Sequence, residues 1–100
     1  MTNDIFVDDN NQNNPIVHIR VFQRTSRTFI TTIEGLPQYS NFKLYLKQMK
    51  TKFHCNGSIK NKGDTGEILI QLSGDQRNDV TNYLVKNNIC SKECIKIHGC

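Results

Sequence analysis

Apolar and polar residues alternate early in the chain. From Val17 to Val21 every second side chain is apolar, with polar side chains between them. An alternation of this kind predicts a strand with one buried face. Residues 29–33 are rich in β-branched side chains and predict a second strand. The polar residues 24–28 lie between the two strands, so we expect a hairpin with arginines at its tip.

A helical period replaces the alternation in residues 41–53. Apolar side chains recur there every three or four residues and form one stripe, which consists of Phe42, Tyr45, Leu46, Met49 and Phe53. This spacing predicts an amphipathic helix that buries the stripe. Ser40 and Asn41 are both suited to cap its start. A second stripe carries three ammonium groups, those of Lys43, Lys47 and Lys50.

The second half of the chain repeats the strand and helix patterns. Residues 58–60 predict a short strand after an Asn-Gly turn, and residues 68–72 alternate and predict another. Gly74 ends that strand, and Asp75 is expected to cap a second helix. A last strand is predicted at residues 95–98. The order β-β-α-β-β-α-β predicts an α+β protein, a two-layer α/β sandwich with two helices packed on one face of a mixed sheet.

Charge is distributed unevenly along the 100 residues. Residues 1–15 are rich in Asn, contain three Asp and no Lys or Arg, and are expected to form a disordered acidic tail. Residues 16–100 form the predicted domain. Since the whole chain has a net charge of +4 and the tail contributes −3, this domain carries +7. A polyanion such as RNA suits that charge, and a solvated surface explains it equally well.

The four cysteines do not follow a common metal-binding pattern. The last three, Cys90, Cys94 and Cys100, are spaced with His98 as C-x3-C-x3-H-x-C. Structural zinc sites usually place their ligands in two separated pairs, so we expect neither a metal nor a cofactor. We recognise no catalytic motif, secretion signal or membrane-spanning run. The expectation is a non-enzymatic, cytoplasmic protein with no membrane partner.

Five short strings occur in order between residues 16 and 99. They lie within Ile16–Arg20, Gln23–Thr32, Lys50–Gly57, Gly66–Arg77 and Lys96–Gly99. Together they resemble the family of eukaryotic translation initiation factor one, which has a SUI-type domain.

That resemblance implies a function in translation initiation without catalysis. Such a factor binds the small ribosomal subunit near the P site, beside the initiator tRNA, promotes scanning and enforces start-codon selection. It also contacts other initiation factors, and we expect a monomer. Two alternatives have the same fold and no decoding role: a general RNA-binding module and a module that recruits initiation factors.

The resemblance also assigns expected roles to individual residues. Guanidinium groups at the hairpin tip suit phosphate oxygens, and a turn at Gly74 and Asp75 is expected to be structural. For every charged residue the alternative is a solvated side chain. The expected rRNA-binding residues are Arg24, Arg27, Lys43, Lys47, Lys50 and Arg77, and the loop expected to face the initiator tRNA contains Lys60, Asn61, Lys62 and Asp64.

The chain departs from the family pattern in three places. The hairpin tip usually reads Arg-Asn-Gly-Arg-Lys, whereas residues 24–28 lack the glycine and one cation. This difference predicts weaker binding. The segment Ile68-Leu69-Ile70 has one extra residue, which we expect to form a bulge. Cys100 occupies a position where an aromatic residue is usual.

Overall fold

The structure is a computed structural model that describes residues 16–38 and 40–99. These residues form five strands, two α-helices and a short 3-10 turn, Lys92–Cys94. The strands are β1 (Val17–Gln23), β2 (Phe29–Glu34), β3 (Gly57–Asn61), β4 (Ile68–Ser73) and β5 (Ile95–His98), and the helices are α1 (Phe42–Phe53) and α2 (Arg77–Lys86). The predicted element order is confirmed. The expected tail, residues 1–15, and Cys100 lie outside the described residues.

The five strands form one mixed sheet in the order β3-β4-β2-β1-β5. β1 pairs with β2, β2 with β4 and β4 with β3 in antiparallel ladders. β5 pairs with β1 in parallel. The α+β fold class is therefore confirmed, with a sheet that is mixed because its last strand joins the edge of the first.

The hydrophobic core lies on one face of this sheet. Alternate residues of the strands, such as Ile19, Ile33 and Ile70, are fully buried in the same cluster as Met49 of α1 and Leu84 of α2. Both helices therefore pack on one sheet face, as the alternation predicts. We call the other side, which carries the intervening residues and is covered by neither helix, the open face.

Asn41 determines where α1 begins. Its side-chain oxygen accepts a hydrogen bond from the backbone N–H of Leu44 at 3.1 Å. The helix ends at His54, which has a left-handed conformation with φ +53° and whose N–H donates to the carbonyl of Lys50. Of the two residues suited to cap the helix, the structure therefore selects Asn41.

Two local expectations are wrong. The ladder between β3 and β4 runs without interruption from Asn61–Ile68 to Gly57–Leu72, so no bulge occurs there. Leu69 is buried although it lies on the open face, and the apolar run Ile68-Leu69-Ile70 continues through a regular strand. α2 has Gln76 at its N-cap, whereas Asp75 lies one residue earlier, where its carboxylate pairs with the Arg77 guanidinium and accepts from the Arg77 N–H at 3.4 Å.

No helix in the described part of the chain is long and apolar enough to cross a membrane.

Candidate nucleic-acid interface

Reciprocal bonds between two threonines close the hairpin tip between β1 and β2. The backbone N–H of Thr25 donates to the carbonyl of Thr28 at 3.3 Å, and the reverse bond is 3.4 Å. Their hydroxyl oxygens are 2.7 Å apart. The described non-glycine residues with positive φ are His54 and Asn88, neither of them in the tip. The threonine hydroxyls thus stabilise a turn that has no need of glycine.

The tip overhangs a concave surface with a cavity of about 480 Å³. Arg24 and Arg27 lie on its tip side, and Ser73 and Gly74 lie on the side of the turn that follows β4. Both arginines are exposed. The structure thus brings the two predicted rRNA-binding arginines and the predicted structural turn into one surface.

Thr31 joins the two sides of this surface, and the sequence analysis missed its role. Its fully buried hydroxyl donates to the carbonyl of Gly74 at 2.7 Å and accepts from the N–H of Gln76 at 2.9 Å. The N–H of Gly74 donates to the carbonyl of Phe29 at 2.7 Å. Thr31 looked like an ordinary β-branched strand residue, because its partners are more than 40 positions away.

Gly74 and its neighbours form a tight turn. Gly74 has φ +88°, a conformation that favours glycine. Arg77 donates to Asp75 through Nε at 3.0 Å and through Nη2 at 2.7 Å. The hydrogen bonds from Arg77 hold the pKa of Asp75 below its usual value. A Cβ added to Gly99 would lie 2.7 Å from Nη1 of Arg77, so the guanidinium also lies against that backbone. Arg77, a predicted rRNA-binding residue, is therefore engaged within the protein.

The three lysines of α1 lie exposed along the helix, as the stripe predicts. Lys43, Lys47 and Lys50 surround a shallow depression of about 330 Å³ that also includes Leu46. The last turn of α1 lies at the hairpin-tip end of the sheet, because β3 starts there and the N–H of Ser73 donates to the carbonyl of Asn56 at 2.9 Å. Lys50 therefore adds its charge to the same end of the molecule as the tip.

The loop expected to face the tRNA is fastened at its base. Nζ of Lys62 lies 2.8 Å from Oε1 of Glu34 and 3.8 Å from Oε1 of Glu67. Oε2 of Glu67 also accepts from the N–H of Gly35 at 2.9 Å. Of the four predicted tRNA-facing residues, Lys60, Asn61 and Asp64 are exposed, whereas Lys62 is drawn against the sheet.

Attraction between opposite charges holds Lys62 against Glu34. Burial alone would raise the pKa of Glu34. The hydrogen bond from Lys62 and the positive charges of Lys62 and Arg20 lower it by more, so the pKa of Glu34 lies below its usual value. The hydrogen bond to Glu34 in turn raises the pKa of Lys62. Both groups therefore favour their charged forms in the folded state.

The tip and the fastened loop lie at opposite ends of the sheet. β2 leads away from the tip, and the loop joins β3 to β4 at the far end. A six-residue strand is about 20 Å long. Arg24 and Arg27 at the tip are therefore separated by about the length of a strand from Lys60, Asn61 and Asp64.

The described cysteines and histidines do not gather into a candidate metal site. Cys55, Cys90 and Cys94 are free thiols, and burial raises the pKa of Cys55 and of Cys90. His18 and His98 meet across β1 and β5, with Nδ1 of one 3.0 Å from Nε2 of the other. Within residues 16–38 and 40–99, no three His, Cys, Asp or Glu side chains are grouped as metal ligands.

Comparison with known proteins identifies similar chains. A family model described as translation initiation factor SUI1 matches residues 13–90. A protein translation factor SUI1 homolog of Acanthamoeba polyphaga mimivirus is 44% identical over 91 residues, which make up 91% of this chain and 86% of that protein. A homolog of the same description from Oryza sativa subsp. indica is 45% identical over 83 residues, 83% of this chain and 71% of the relative.

Among solved structures, the C-terminal domain of human eIF2D is similar, with a TM-score of 0.72 over 81% of this chain. The sequence identity is 16%, and the match spans 41% of that chain, which is less than half of its length. The similarity establishes a shared fold, the mixed sheet with two helices described above.

Proposed function

The chain belongs to the SUI1 family of translation initiation factors, and from that membership we propose that it binds the small ribosomal subunit near the P site. Factors of this family work with the translation initiation machinery. The proposed activity is non-catalytic: the bound factor promotes scanning and enforces start-codon selection. It acts in the cytoplasm as a monomer, together with other initiation factors.

One observation carries the ribosome-binding part of the proposal, namely the concave surface beneath the hairpin tip. Arg24 and Arg27 are exposed on one side of it, and Thr31 holds the opposite side in place. Guanidinium groups bind phosphate oxygens in a bidentate manner. A preformed concave surface loses little conformational entropy on binding. It therefore suits a bent or bulged rRNA backbone.

The loop at the far end of the sheet supports the proposed role in start-codon selection. The loop with Lys60, Asn61 and Asp64 projects there, while Lys62 fastens its base to Glu34. A projecting loop on a fixed base can clash with a wrongly positioned initiator tRNA. The distance between the ends allows rRNA to be held at one and tRNA to be monitored at the other.

The double variant Arg24→Ala/Arg27→Ala tests the proposal. We expect it to co-sediment less with purified small subunits than the parent chain, and its affinity to depend less steeply on salt. Each phosphate contact that is lost reduces the slope of log K against log salt by roughly 0.7–0.9. In a reconstituted initiation assay, the variant should select near-cognate start codons more often.

Lys92→Ala is a matched control, because Lys92 is an exposed cation at the end of the sheet remote from the tip. Parental affinity and salt slope in the double variant would refute the tip contact. A parent chain that binds unstructured RNA as tightly as subunits would favour the alternative of a general RNA-binding module. Binding that is insensitive to salt would favour the alternative of a factor-recruiting module.

A further inference from the structure

Phe22 is an unusually exposed aromatic side chain on the open face. It lies near the end of β1, where 51% of its surface is accessible. Its cross-strand partner is Ile30 of β2, which is half-buried. Leu69 of β4, which is buried, lies near the opposite end of the same face. Folding therefore leaves about half of the Phe22 surface accessible to solvent.

Two arginines, Arg20 and Arg24, flank Phe22 along the chain. Residues 18, 20 and 22 alternate onto the open face, which places Arg20 next to Phe22 along the strand. Arg24 follows at the tip, and His98 pairs with Arg20 across the parallel ladder. Arg20 is 37% exposed in its side chain, and its Nε lies 3.3 Å from Glu34. An aromatic surface bordered by positive charge matches the two parts of a nucleotide, since bases stack on aromatic rings and phosphates bind cations.

A cleft opens beside the ring. β5 pairs with β1 as far as Arg20, so the outer edge of β1 from Val21 to Gln23 has no strand partner among the described residues. The resulting cavity is about 310 Å³ and is lined by Arg20, Val21, Phe22, Gln23, His98 and Gly99. This volume falls within the range of small-molecule sites. The unpaired strand edge supplies hydrogen-bonding groups for the rim of a base.

The same face offers little to a protein partner. Protein interfaces have a contiguous apolar core with few charges, whereas Phe22 is the sole large apolar side chain exposed on the described part of this face. The other exposed apolar side chains lie elsewhere: Leu44 and Val85 on the helices, Ile97 on the helix-covered face and Ile16 before β1. A single exposed aromatic ring flanked by Arg20 and Arg24 favours RNA.

We infer that the cleft beside Phe22 binds one unpaired nucleotide of RNA, with its base stacked on the Phe22 ring. This inference deepens the proposed function and rests on it, since the hairpin tip would bring the open face to rRNA. The tip holds the phosphate backbone, and Phe22 adds a contact that requires an unstacked base. The chain would therefore prefer a bulge or loop to a regular duplex beside the tip.

Variants at position 22 separate stacking from mere apolar contact. Phe22→Ala and Phe22→Leu should each weaken binding to purified small subunits by roughly 5- to 150-fold, the measured range for removal of one base–aromatic stack. Their salt slopes should equal that of the parent, because Phe22 neutralises no phosphate. Val85→Ala is the matched control, an exposed apolar residue on α2, and should bind as the parent does.

Phe22→Trp gives a direct signal. The chain has no tryptophan, so the indole of this variant is the only one, and stacking against a base should quench its fluorescence. We expect the variant to keep parental affinity and to be quenched both by small subunits and by oligoadenylate. Circular dichroism of each variant checks that the fold is retained, which half-exposure of Phe22 leads us to expect.

Several results would overturn the inference. Parental affinity in Phe22→Ala would do so, as would parental affinity in Phe22→Leu, which would indicate an apolar contact with a ribosomal protein. Lack of quenching in Phe22→Trp would also overturn it. If Arg24→Ala/Arg27→Ala loses affinity for subunits and Phe22→Ala does not, the result supports the proposed function and contradicts the stacking site. If the parent binds no subunits, the proposed function fails, and quenching by oligoadenylate alone decides the inference.

Discussion

At the level of single residues, the shape of the surface beneath the hairpin tip depends on Thr31. Its hydroxyl is fully buried and bonds both to the carbonyl of Gly74 and to the N–H of Gln76. A valine has nearly the same shape and cannot make either bond. Thr31→Val would therefore deprive the half-buried carbonyl of Gly74 and N–H of Gln76 of their partner in the protein.

We expect Thr31→Val to lower the free energy of unfolding by about 1–3 kcal/mol, the usual cost of unsatisfied buried polar groups. Urea denaturation measures this loss. Thr32→Val is the control, since the Thr32 hydroxyl has one long contact of 3.5 Å with Glu34 and should matter less. Equal losses in the two variants would show that the Thr31 bonds are not specifically stabilising. Thr31→Val should also weaken subunit binding, because the Gly74 turn loses its anchor.

At the level of elements, the start of α1 depends on one side chain. Asn41 accepts a hydrogen bond from the N–H of Leu44, whereas Ser40 bonds to Pro37 and Phe42 through its backbone N–H and carbonyl. We expect Asn41→Ala to destabilise the protein by about 1 kcal/mol, as for other N-cap residues. Ser40→Ala should stay within about 0.5 kcal/mol of the parent. Urea denaturation of both variants tests this difference, and a greater loss in Ser40→Ala would contradict the assigned cap.

The elements themselves could be predicted from local patterns, because periods of 2 and 3.6 residues directly reflect which side is buried. The two errors have a physical cause. The bulge was expected from one extra residue relative to the family pattern, whereas the ladder between β3 and β4 pairs every residue from Ile68 to Leu72. Aspartate is a common N-cap residue, which led to Asp75, but α2 begins one position later, after Gln76.

The candidate site was predicted less completely. Exposed cations at a turn, such as Arg24 and Arg27, are recognisable from composition. The link through Thr31 and the pairing of Lys62 with Glu34 join residues about 30 to 45 positions apart. Such contacts form when distant strands pair, and no periodicity in a single sequence predicts them.

At the level of the whole molecule, charge is divided between two ends and one helix. Arg24 and Arg27 occupy the tip, the fastened loop projects at the far end, and the α1 lysines form a row beside the core. The domain charge of +7 follows from the sequence, but its arrangement follows from the sheet order. A partner that covers the tip and α1 together would have to contact two sides of the molecule.

The lysine row allows a final prediction about whether the RNA contact extends from the tip onto α1. If Lys43, Lys47 and Lys50 all bind phosphates, replacing the three with Gln should reduce the salt slope of subunit binding by roughly 2–3, in addition to the effect of the tip variant. Gln keeps much of the side-chain length and helix propensity, so α1 should remain folded. Lys86→Gln on α2 is a control for the general loss of charge. An unchanged slope in the triple variant would show that the row is a solvated face and that the tip alone holds the RNA backbone.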